Sequence, residues 1–383
     1  MKIKYFFIFI LFSLLYFFIN YYVGRKILNG INYLFKFNSI PFWIIFGLLS
    51  LSYIISSAFN RILPPSITNF LYLIGSFWMG LLMYTLLTFP LLGLINLILS
   101  KSSFSKFLTN KYYIFEILLI LIVFIFITAI GSFNANKSYV KDYTININKP
   151  GFNNDLNIVM VSDIHLGYII KNKRLSNMVK EINSLNPDIV IIAGDIIDSD
   201  IKPFLDNNMA IEFSKLKSKY GVFVSLGNHD LMTKDENTIV NKLKENSVTV
   251  LRDEAILIND SFYIIGRDDI SINSFSSNDR KDLKDITKDF DTKKALIVID
   301  HNPKYINDSL EAKIDLQLSG HTHKGQICPG NLVTRSIFEV DYGYLKKENL
   351  NVIVSCGYGS WGPPIRIGSR SEIVKINLKK GAF

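Results

Sequence analysis

The sequence predicts a layered α/β domain that follows an all-α membrane region of about four helices. Two observations carry this prediction. Beyond residue 138, short apolar runs alternate with helical patterns, and five of the runs end in histidine or carboxylate side chains. Such alternation is typical of layered α/β folds. Residues 1–137 are instead almost continuously apolar. We therefore divide the chain into a transmembrane region, 1–137, and a second domain, 138–383.

Four stretches of the first region are candidate membrane spans, at residues 3–22, 40–59, 67–99 and 113–133. Each is near or above the about 20 residues that cross a bilayer. The third contains Pro90, which predicts a tilt, a kink or a break in that helix. A cleaved signal peptide is the alternative for the first stretch, although no small-residue cleavage site stands out there. The prediction is a multi-pass protein of the cell membrane.

The second domain is predicted in chain order. Residues 139–147 alternate enough for an edge strand, and the apolar run up to Val161 reads as a buried strand. A helix over 171–185 follows from the spacing of its apolar residues, and Asn186-Pro187 ends it. The remaining predictions are strands at 188–193, 221–226 and 248–251, helices at 211–219 and 235–245, a hairpin of 255–259 with 262–266, and loop plus helix over 273–292.

The net charge of +9 lies entirely in the membrane region. Of 42 basic and 33 acidic residues, ten and one lie in 1–137, which leaves 32 of each in 138–383. A nucleic-acid-binding domain needs a basic face, so no nucleic acid partner is expected. The side of the membrane stays open. The second loop, with Arg61 alone, favours an extracytoplasmic second domain, whereas Lys2 and Lys4 favour the reverse.

The chain has only five histidines, and all of them follow the apolar runs. They occur in the segments SDIHLG (162–167), GNHD (227–230), HNP (301–303) and SGHTHKGQI (319–327), and a fifth segment, GDIID (194–198), adds carboxylates. Layered α/β folds place their sites at the carboxyl ends of strands. Nitrogen and oxygen ligands without thiolate suit Mn²⁺, Fe, Zn²⁺, Co²⁺ or Mg²⁺. There are more ligands than one ion needs, which predicts two divalent metal ions, an arrangement suited to displacement at phosphorus.

These five segments resemble the calcineurin-like metallophosphoesterase superfamily, and within it the bacterial membrane-associated branch. The stretch SCGYGSWGPPIRIGSRSEI (355–373) resembles the C-terminal signature of that branch, so the resemblance covers roughly residues 139–380. It implies a layered α/β sandwich catalytic domain. It also implies hydrolysis of phosphoester bonds, more readily of phosphodiesters, by attack of a metal-bridging hydroxide.

The resemblance also implies roles for single residues. The first metal would bind Asp163, His165 and His323, the second would bind Asn228, His301 and His321, and Asp195 would bridge them. His229 would act at the leaving oxygen as general acid or charge stabiliser, with Asp230 orienting it. Lys324 stands where the family usually has a glycine, either solvated or as a cation near a phosphate. Arg366 is either a phosphate contact or a structural arginine.

Anchoring places the site close to the bilayer, so the expected substrate is a phospholipid or an envelope precursor. A soluble phosphoester is the alternative substrate. A different class of function, a non-catalytic metal-binding membrane sensor or scaffold, predicts metal-loaded protein that is inert towards phosphoesters.

Overall fold

The computed structural model describes residues 2–101, 112–275 and 279–381. The chain forms two compact units. The first comprises Met1–Gly131 with Gly362–Pro364, and the second comprises Ser132–Trp361 with Ile365–Phe383. The second unit therefore includes the last turn of the helix that precedes it in sequence.

The first unit is helical. Its helices are α1 (Lys2–Leu34), α2 (Ser39–Ala58), α3 (Pro65–Ser100) and α4 (Tyr112–Asn136), the last of which continues into the second unit. Within the described residues, three helical segments are long and apolar enough to cross a membrane: Ser39–Ala58, Pro65–Ile98 and Phe115–Asn136. The remaining predicted span, 3–22, falls in α1, where several side chains lie outside the described residues. Helix α3 runs through Pro90 without a break.

Several buried polar groups inside the first unit are paired with each other. The indole nitrogen of Trp78 donates to Oδ1 of Asn20 at 2.9 Å. Glu116 is buried and forms an ion pair with Lys26 at 3.0 Å. Many large apolar side chains instead face outward, among them Ile62 and Ile125, which are 78% and 70% exposed. Apolar surface on this scale is costly in water and suits contact with lipid tails.

The second unit is built on two sheets. Its strands are β1 (Tyr139–Ile147), β2 (Leu156–Val161), β3 (Ile189–Ala193), β4 (Val222–Ser225), β5 (Val248–Val250), β6 (Glu254–Ile258), β7 (Phe262–Gly266), β8 (Ala295–Ile299), β9 (Leu316–Ser319), β10 (Gly343–Lys347), β11 (Leu350–Val354) and β12 (Glu372–Lys380). One sheet has the order β1-β12-β2-β3-β4-β5 and the other β10-β11-β9-β8-β7-β6. Strands β2 to β5 are parallel, as are β7, β8, β9 and β11.

Helices cover the outer faces of these sheets. They are α5 (Asn172–Ser184), α6 (Lys202–Asp206), α7 (Asn228–Met232), α8 (Glu236–Lys244), α9 (Ile272–Phe275), α10 (Leu283–Thr287) and α11 (Ile306–Glu311). A further helix, α12 (Gly330–Ile337), contributes no buried side chain. Short 3₁₀ segments occur at Met209–Lys215, Pro303–Tyr305 and His323–Gly325. The resulting layers, helix–sheet–sheet–helix, confirm the predicted layered α/β class.

Side-chain alternation along the strands explains the layering. On β2, Ile158 and Met160 pack into the core between the two sheets, while Val159 and Val161 pack under α5. On β8, Ile297 and Ile299 likewise face the inner core, and Leu296 and Val298 face the helices of the second sheet. Because both faces are covered, these strands read as continuous apolar runs in the sequence.

Most predicted elements are confirmed, including the edge strand β1, the helix α5 and the hairpin of β6 with β7. The helix predicted at 211–219 is wrong. A 3₁₀ segment, Met209–Lys215, occupies its first half and ends because Leu216 has an extended backbone. The loop-plus-helix prediction at 273–292 matches α10, but its residues 276–278 lie outside the described part of the chain.

Candidate metal centre

The predicted ligands follow the carboxyl ends of parallel strands. Asp163 and His165 follow β2, Asp195 follows β3 and Asn228 follows β4 in one sheet. In the other sheet, His301 follows β8 and both His321 and His323 follow β9. Since the carboxyl ends of parallel strands share one edge of a sheet, each sheet contributes ligands at one edge. The structure brings the two edges together.

One group of donors consists of Asp163, His165 and His323. The Nε2 atoms of the two histidines face each other at 3.1 Å, and Oδ1 of Asp163 lies 3.4 Å from Nε2 of His323. All three side chains are buried. Three donor atoms that converge in this way form a group able to hold a metal ion.

A second group consists of Asp195, His301 and His321, with Asn228 beside it. Nε2 of His301 lies 3.1 Å from Oδ2 of Asp195, and Nδ1 of His321 lies 2.9 Å from Oδ1 of Asn228. Nδ1 of His301 donates to the carbonyl of Ala193 at 2.8 Å. This bond fixes the ring so that Nε2 is the atom turned towards the other donors.

Asp195 stands between the two groups. Its Oδ2 lies 3.9 Å from Nε2 of His165 in the first group, as well as beside His301 in the second. Its Oδ1 accepts the backbone N–H of His229 at 2.8 Å. Asp195 therefore lies within reach of donors from both groups.

The backbone at the site is held in an uncommon conformation. Asp163 and His165 have φ of 51°, Asp195 has 52°, His321 has 72° and His323 has 49°. Residues other than glycine rarely adopt positive φ, because each such residue costs about 1–3 kcal/mol of stability. Residues in this conformation cluster at functional sites. The left-handed turns direct side chains from successive strand ends to a common point.

Two glycines allow the close approach of these turns. A Cβ on Gly227 would lie 2.8 Å from Cγ of Asp195 and closer still to its Oδ1. A Cβ on Gly194 would lie 2.6 Å from Cγ of His301, and Gly194 also has φ of 76°. The glycines of the GDIID and GNHD segments are therefore needed for space at the donors.

Burial sets the protonation of three of the imidazoles, whereas Asp195 overcomes burial at the fourth and holds the pKa of His301 well above its usual value. It lowers the pKa of His165 to about 3 and the pKa of His321 to about 4. Burial, with His165 and Arg366 nearby, also holds the pKa of His323 well below its usual value. Burial alone would raise the pKa of Asp195, but His301 more than offsets it and keeps that pKa well below normal. Neutral imidazoles and an ionised carboxylate are the forms that bind metals.

These residues fit a pair of divalent cations. The donors are imidazole nitrogens, carboxylate oxygens and one amide oxygen, without thiolate. Among the described residues they form three overlapping groups of three, and Asp195 belongs to the group with His301 and His321 and to the group with His165 and His229. The buried Nε2 atom of His301 supports the same interpretation, because it has no hydrogen-bond partner in the described part of the chain and a metal ion would satisfy it.

His229 lies beside this centre, with its ring 4.8 Å from that of His165 and 6.0 Å from that of Trp361. Its Nδ1 contacts the hydroxyl of Ser199 at 2.6 Å and lies 3.7 Å from Oδ1 of Asp198. The sequence analysis expected Asp230 to orient His229, but the side chains beside Nδ1 of His229 are those of Ser199 and Asp198. Ser199 was not singled out from the sequence, where a serine after GDIID carries no distinctive signal.

Asp230 is instead a buried brace for the backbone. Its Oδ1 accepts the N–H of Ile197 and its Oδ2 accepts the N–H of Gly227, both at 2.9 Å. Burial raises the pKa of Asp230 to about 7. The carboxylate thus ties the loop after β3 to the loop after β4, which carry Asp195 and Asn228.

Arg366 is fully buried behind the first donor group. Its guanidinium donates to the carbonyl of Gly359 and to Oγ of Ser369 at 3.3 Å. One terminal nitrogen lies 3.2 Å from Nδ1 of His323. These contacts give Arg366 a structural position that supports His323.

Comparisons with known proteins agree with this site. A family model described as calcineurin-like phosphoesterase matches residues 156–325. A metallophosphoesterase of Campylobacter jejuni is 34% identical over 273 residues, which cover 70% of this chain and 70% of the relative. One of Aquifex aeolicus is 31% identical over 255 residues, covering 65% of this chain and 96% of the relative. A Danio rerio transmembrane protein with a metallophosphoesterase domain is 30% identical over 314 residues, covering 78% and 71%. The chain therefore belongs to the calcineurin-like metallophosphoesterase family of phosphoester hydrolases.

Proposed function

We propose that the protein is a membrane-anchored phosphoesterase that uses two divalent metal ions to hydrolyse phosphodiester bonds. The observation that carries the proposal is the position of Asp195, within 3.1 Å of His301 and 3.9 Å of His165. A carboxylate shared by two clusters of donors serves a pair of cations better than a single one.

We propose the same division of ligands as the sequence analysis. Asp163, His165 and His323 would hold one cation, Asn228, His301 and His321 the other, and Asp195 both. When bound, two cations neutralise negative charge on a phosphoester and make water a stronger acid.

His229 supplies the proton for the leaving oxygen in this proposal. Ser199 engages its Nδ1 at 2.6 Å, so Nε2 is the ring nitrogen left to carry the transferred proton. Its side chain is 12% exposed, which leaves an edge accessible to substrate at the rim of the buried donors. Trp361, more than half exposed, lies on the same rim.

Two variants test the proposal in the purified full-length protein. Asp195→Asn should lose bound metal and activity, whereas His229→Ala should keep its metal and lose activity by about 10²-fold or more. The assays are metal analysis and hydrolysis of bis(p-nitrophenyl) phosphate and p-nitrophenyl phosphate. Lys217→Gln, at an exposed lysine, is the matched control. Full activity in both site variants would refute the proposal, and metal-loaded wild type inert towards all esters would favour the sensor or scaffold.

We further propose that the substrate is lipid-linked, since the family domain follows helices suited to a membrane. The test compares the rates at which a phospholipid and a soluble diester are hydrolysed, first by the full chain and then by the excised catalytic domain. A preference for lipid that depends on the membrane helices supports the proposal. Equal preference by both forms contradicts it.

We also propose that the catalytic domain lies outside the cytoplasm, because the loop at residues 60–66 carries only Arg61. Cys328 is exposed and Cys356 is buried, so Cys328 reports on sidedness. A membrane-impermeant maleimide should label intact cells, and Cys328→Ser should abolish the labelling. Labelling only after lysis places the domain in the cytoplasm.

A further inference from the structure

A pocket lies in the catalytic unit beside the candidate metal centre. It has a volume of about 390 Å³ and is lined by Asn134, Tyr139, Lys324, Gly368, Ser369 and Arg370. None of these residues is among the proposed metal ligands. Asn134 belongs to the last turn of α4, and Lys324 directly follows His323.

The pocket and its rim carry unbalanced positive charge. Lys324 Nζ lies 4.4 Å from the centre of the Tyr342 ring, and the Arg370 guanidinium lies 5.6 Å from the rings of Phe133 and Tyr139. Lys137 Nζ lies 5.9 Å from the Phe133 ring. Among residues 2–101, 112–275 and 279–381, no carboxylate forms an ion pair with any of these three cations. The domain as a whole has equal numbers of acidic and basic residues, so these three cations form a local surplus of positive charge.

Among the described residues, one carboxylate, Glu372, hydrogen-bonds to the pocket lining, and its oxygens are already engaged. Glu372 is buried, its Oε2 accepts the hydroxyls of Tyr139 and Tyr342, and its Oε1 accepts the N–H of Cys356. It offsets at most one of the three positive charges. The cations are therefore held by aromatic faces and backbone, with their charge available to an anion.

The pocket lies at the end of a candidate membrane span. Phe133 and Asn134 are in the segment Phe115–Asn136, and Lys137 and Tyr139 follow it directly. Where a helix leaves a bilayer, aromatic and basic side chains meet the lipid headgroups, whose phosphates are negatively charged. The chemistry of the pocket matches that layer.

The same pocket is connected to the metal centre. Nδ2 of Asn134 donates to the carbonyl of Arg366 at 3.1 Å, and the guanidinium of Arg366 contacts His323 at 3.2 Å. A group bound at Lys324 and Arg370 would therefore lie next to the segment that contains His323.

We propose that this pocket binds the phosphate of an anionic lipid headgroup and so presents lipid phosphoesters to the metal centre. The inference rests on the proposed function for its catalytic consequence, but the binding step is independent of metal. It makes Lys324 and Arg370 specificity determinants for lipid substrates.

The test measures binding to the metal-free full-length protein in detergent by isothermal titration. The probes are dihexanoyl phosphatidic acid, dihexanoyl phosphatidylcholine and inorganic phosphate. Wild type should bind the phosphatidic acid most tightly. Lys324→Gln and Arg370→Gln should each weaken that binding about fivefold, the effect of one basic residue near a lipid surface. Lys324→Arg should retain it, and Lys217→Gln, at an exposed lysine elsewhere, should leave it unchanged.

Three outcomes would overturn the inference. They are unchanged affinity in both glutamine variants, equal affinity for the zwitterionic lipid, and inorganic phosphate bound as tightly as the lipid, which indicates a free-phosphate site. Thermal unfolding of each variant shows whether it is folded. Because chelated protein is used, these results are separate from the proposed function, which the hydrolysis of bis(p-nitrophenyl) phosphate by metal-loaded wild type tests.

Discussion

Gly227→Ala tests whether the position of Asp195 governs metal binding and activity. The glycine has φ of −103°, which alanine adopts easily, so any effect comes from space and not from backbone strain. The new methyl group would lie 2.8 Å from Cγ of Asp195. Ordinary contact between carbon atoms is about 3.5–4.0 Å, so the carboxylate or its loop must move by about 1 Å.

A displacement of about 1 Å in a catalytic constellation costs on the order of 10²-fold in rate. Forced overpacking of this kind destabilises a protein by about 1–3 kcal/mol, which leaves the fold intact. We therefore expect Gly227→Ala to fold, to bind less metal and to hydrolyse bis(p-nitrophenyl) phosphate about 10²-fold more slowly.

The assay uses purified full-length protein with Mn²⁺, and metal content and thermal unfolding are measured on the same sample. Gly47→Ala is the matched control, because a Cβ there meets nothing within 4 Å. Wild-type rate and metal content in Gly227→Ala would refute the argument from geometry. If the variant fails to fold, Asp195→Asn, which needs no movement, tests the same carboxylate.

Four further outcomes are expected. Arg366→Met removes the contact with His323 and should weaken metal binding about 10–100-fold in a Mn²⁺ titration, with exposed Arg335→Met as control. Ser199→Ala frees Nδ1 of His229 and should lower kcat about tenfold with bound metal unchanged; an unchanged kcat would deny that contact a role. Mn²⁺ at 100 times its Kd should stabilise the chelated protein by about 2.7 kcal/mol, seen as a higher Tm, and should have little effect on Asp195→Asn. Lys26→Ala removes the ion-pair partner of the buried Glu116 carboxylate, so it should lower the free energy of unfolding of the membrane unit in detergent by about 3 kcal/mol. The double variant with Glu116→Gln should recover part of that stability, because it also removes the buried charge.

The sequence predicted the strands and the clustering of the candidate donors because both signals are local. Strands covered on both faces read as apolar runs, and a metal ligand set stands out when every histidine in the chain follows such a run. The convergence of Asp163, Asp195 and His301 then followed from a general rule about the carboxyl ends of parallel strands.

The contacts of His229 and Arg366 were less predictable because they depend on loops that meet only after folding. Ser199 lies 30 residues before His229 in the chain, and Arg366 lies 43 residues after His323. Nothing in the GNHD segment distinguishes a carboxylate that holds its neighbouring ring from one that holds backbone N–H groups, as Asp230 does. The positive φ values at the ligands also leave no mark in composition, since these residues are not glycines.

The way α4 ends has a practical consequence for the production of a soluble fragment. Its last carbonyls are capped by the catalytic unit: Ser371 donates to the carbonyls of Asn134 and Ala135, and Arg174 donates to that of Asn136. A truncation that starts at residue 138 removes these acceptors, together with the buried Ala135, and leaves the N–H and the hydroxyl of Ser371 without these partners. Expression trials should therefore begin the fragment at or before Ser132, where the compact unit begins, and retain the final helical turn as part of the enzyme.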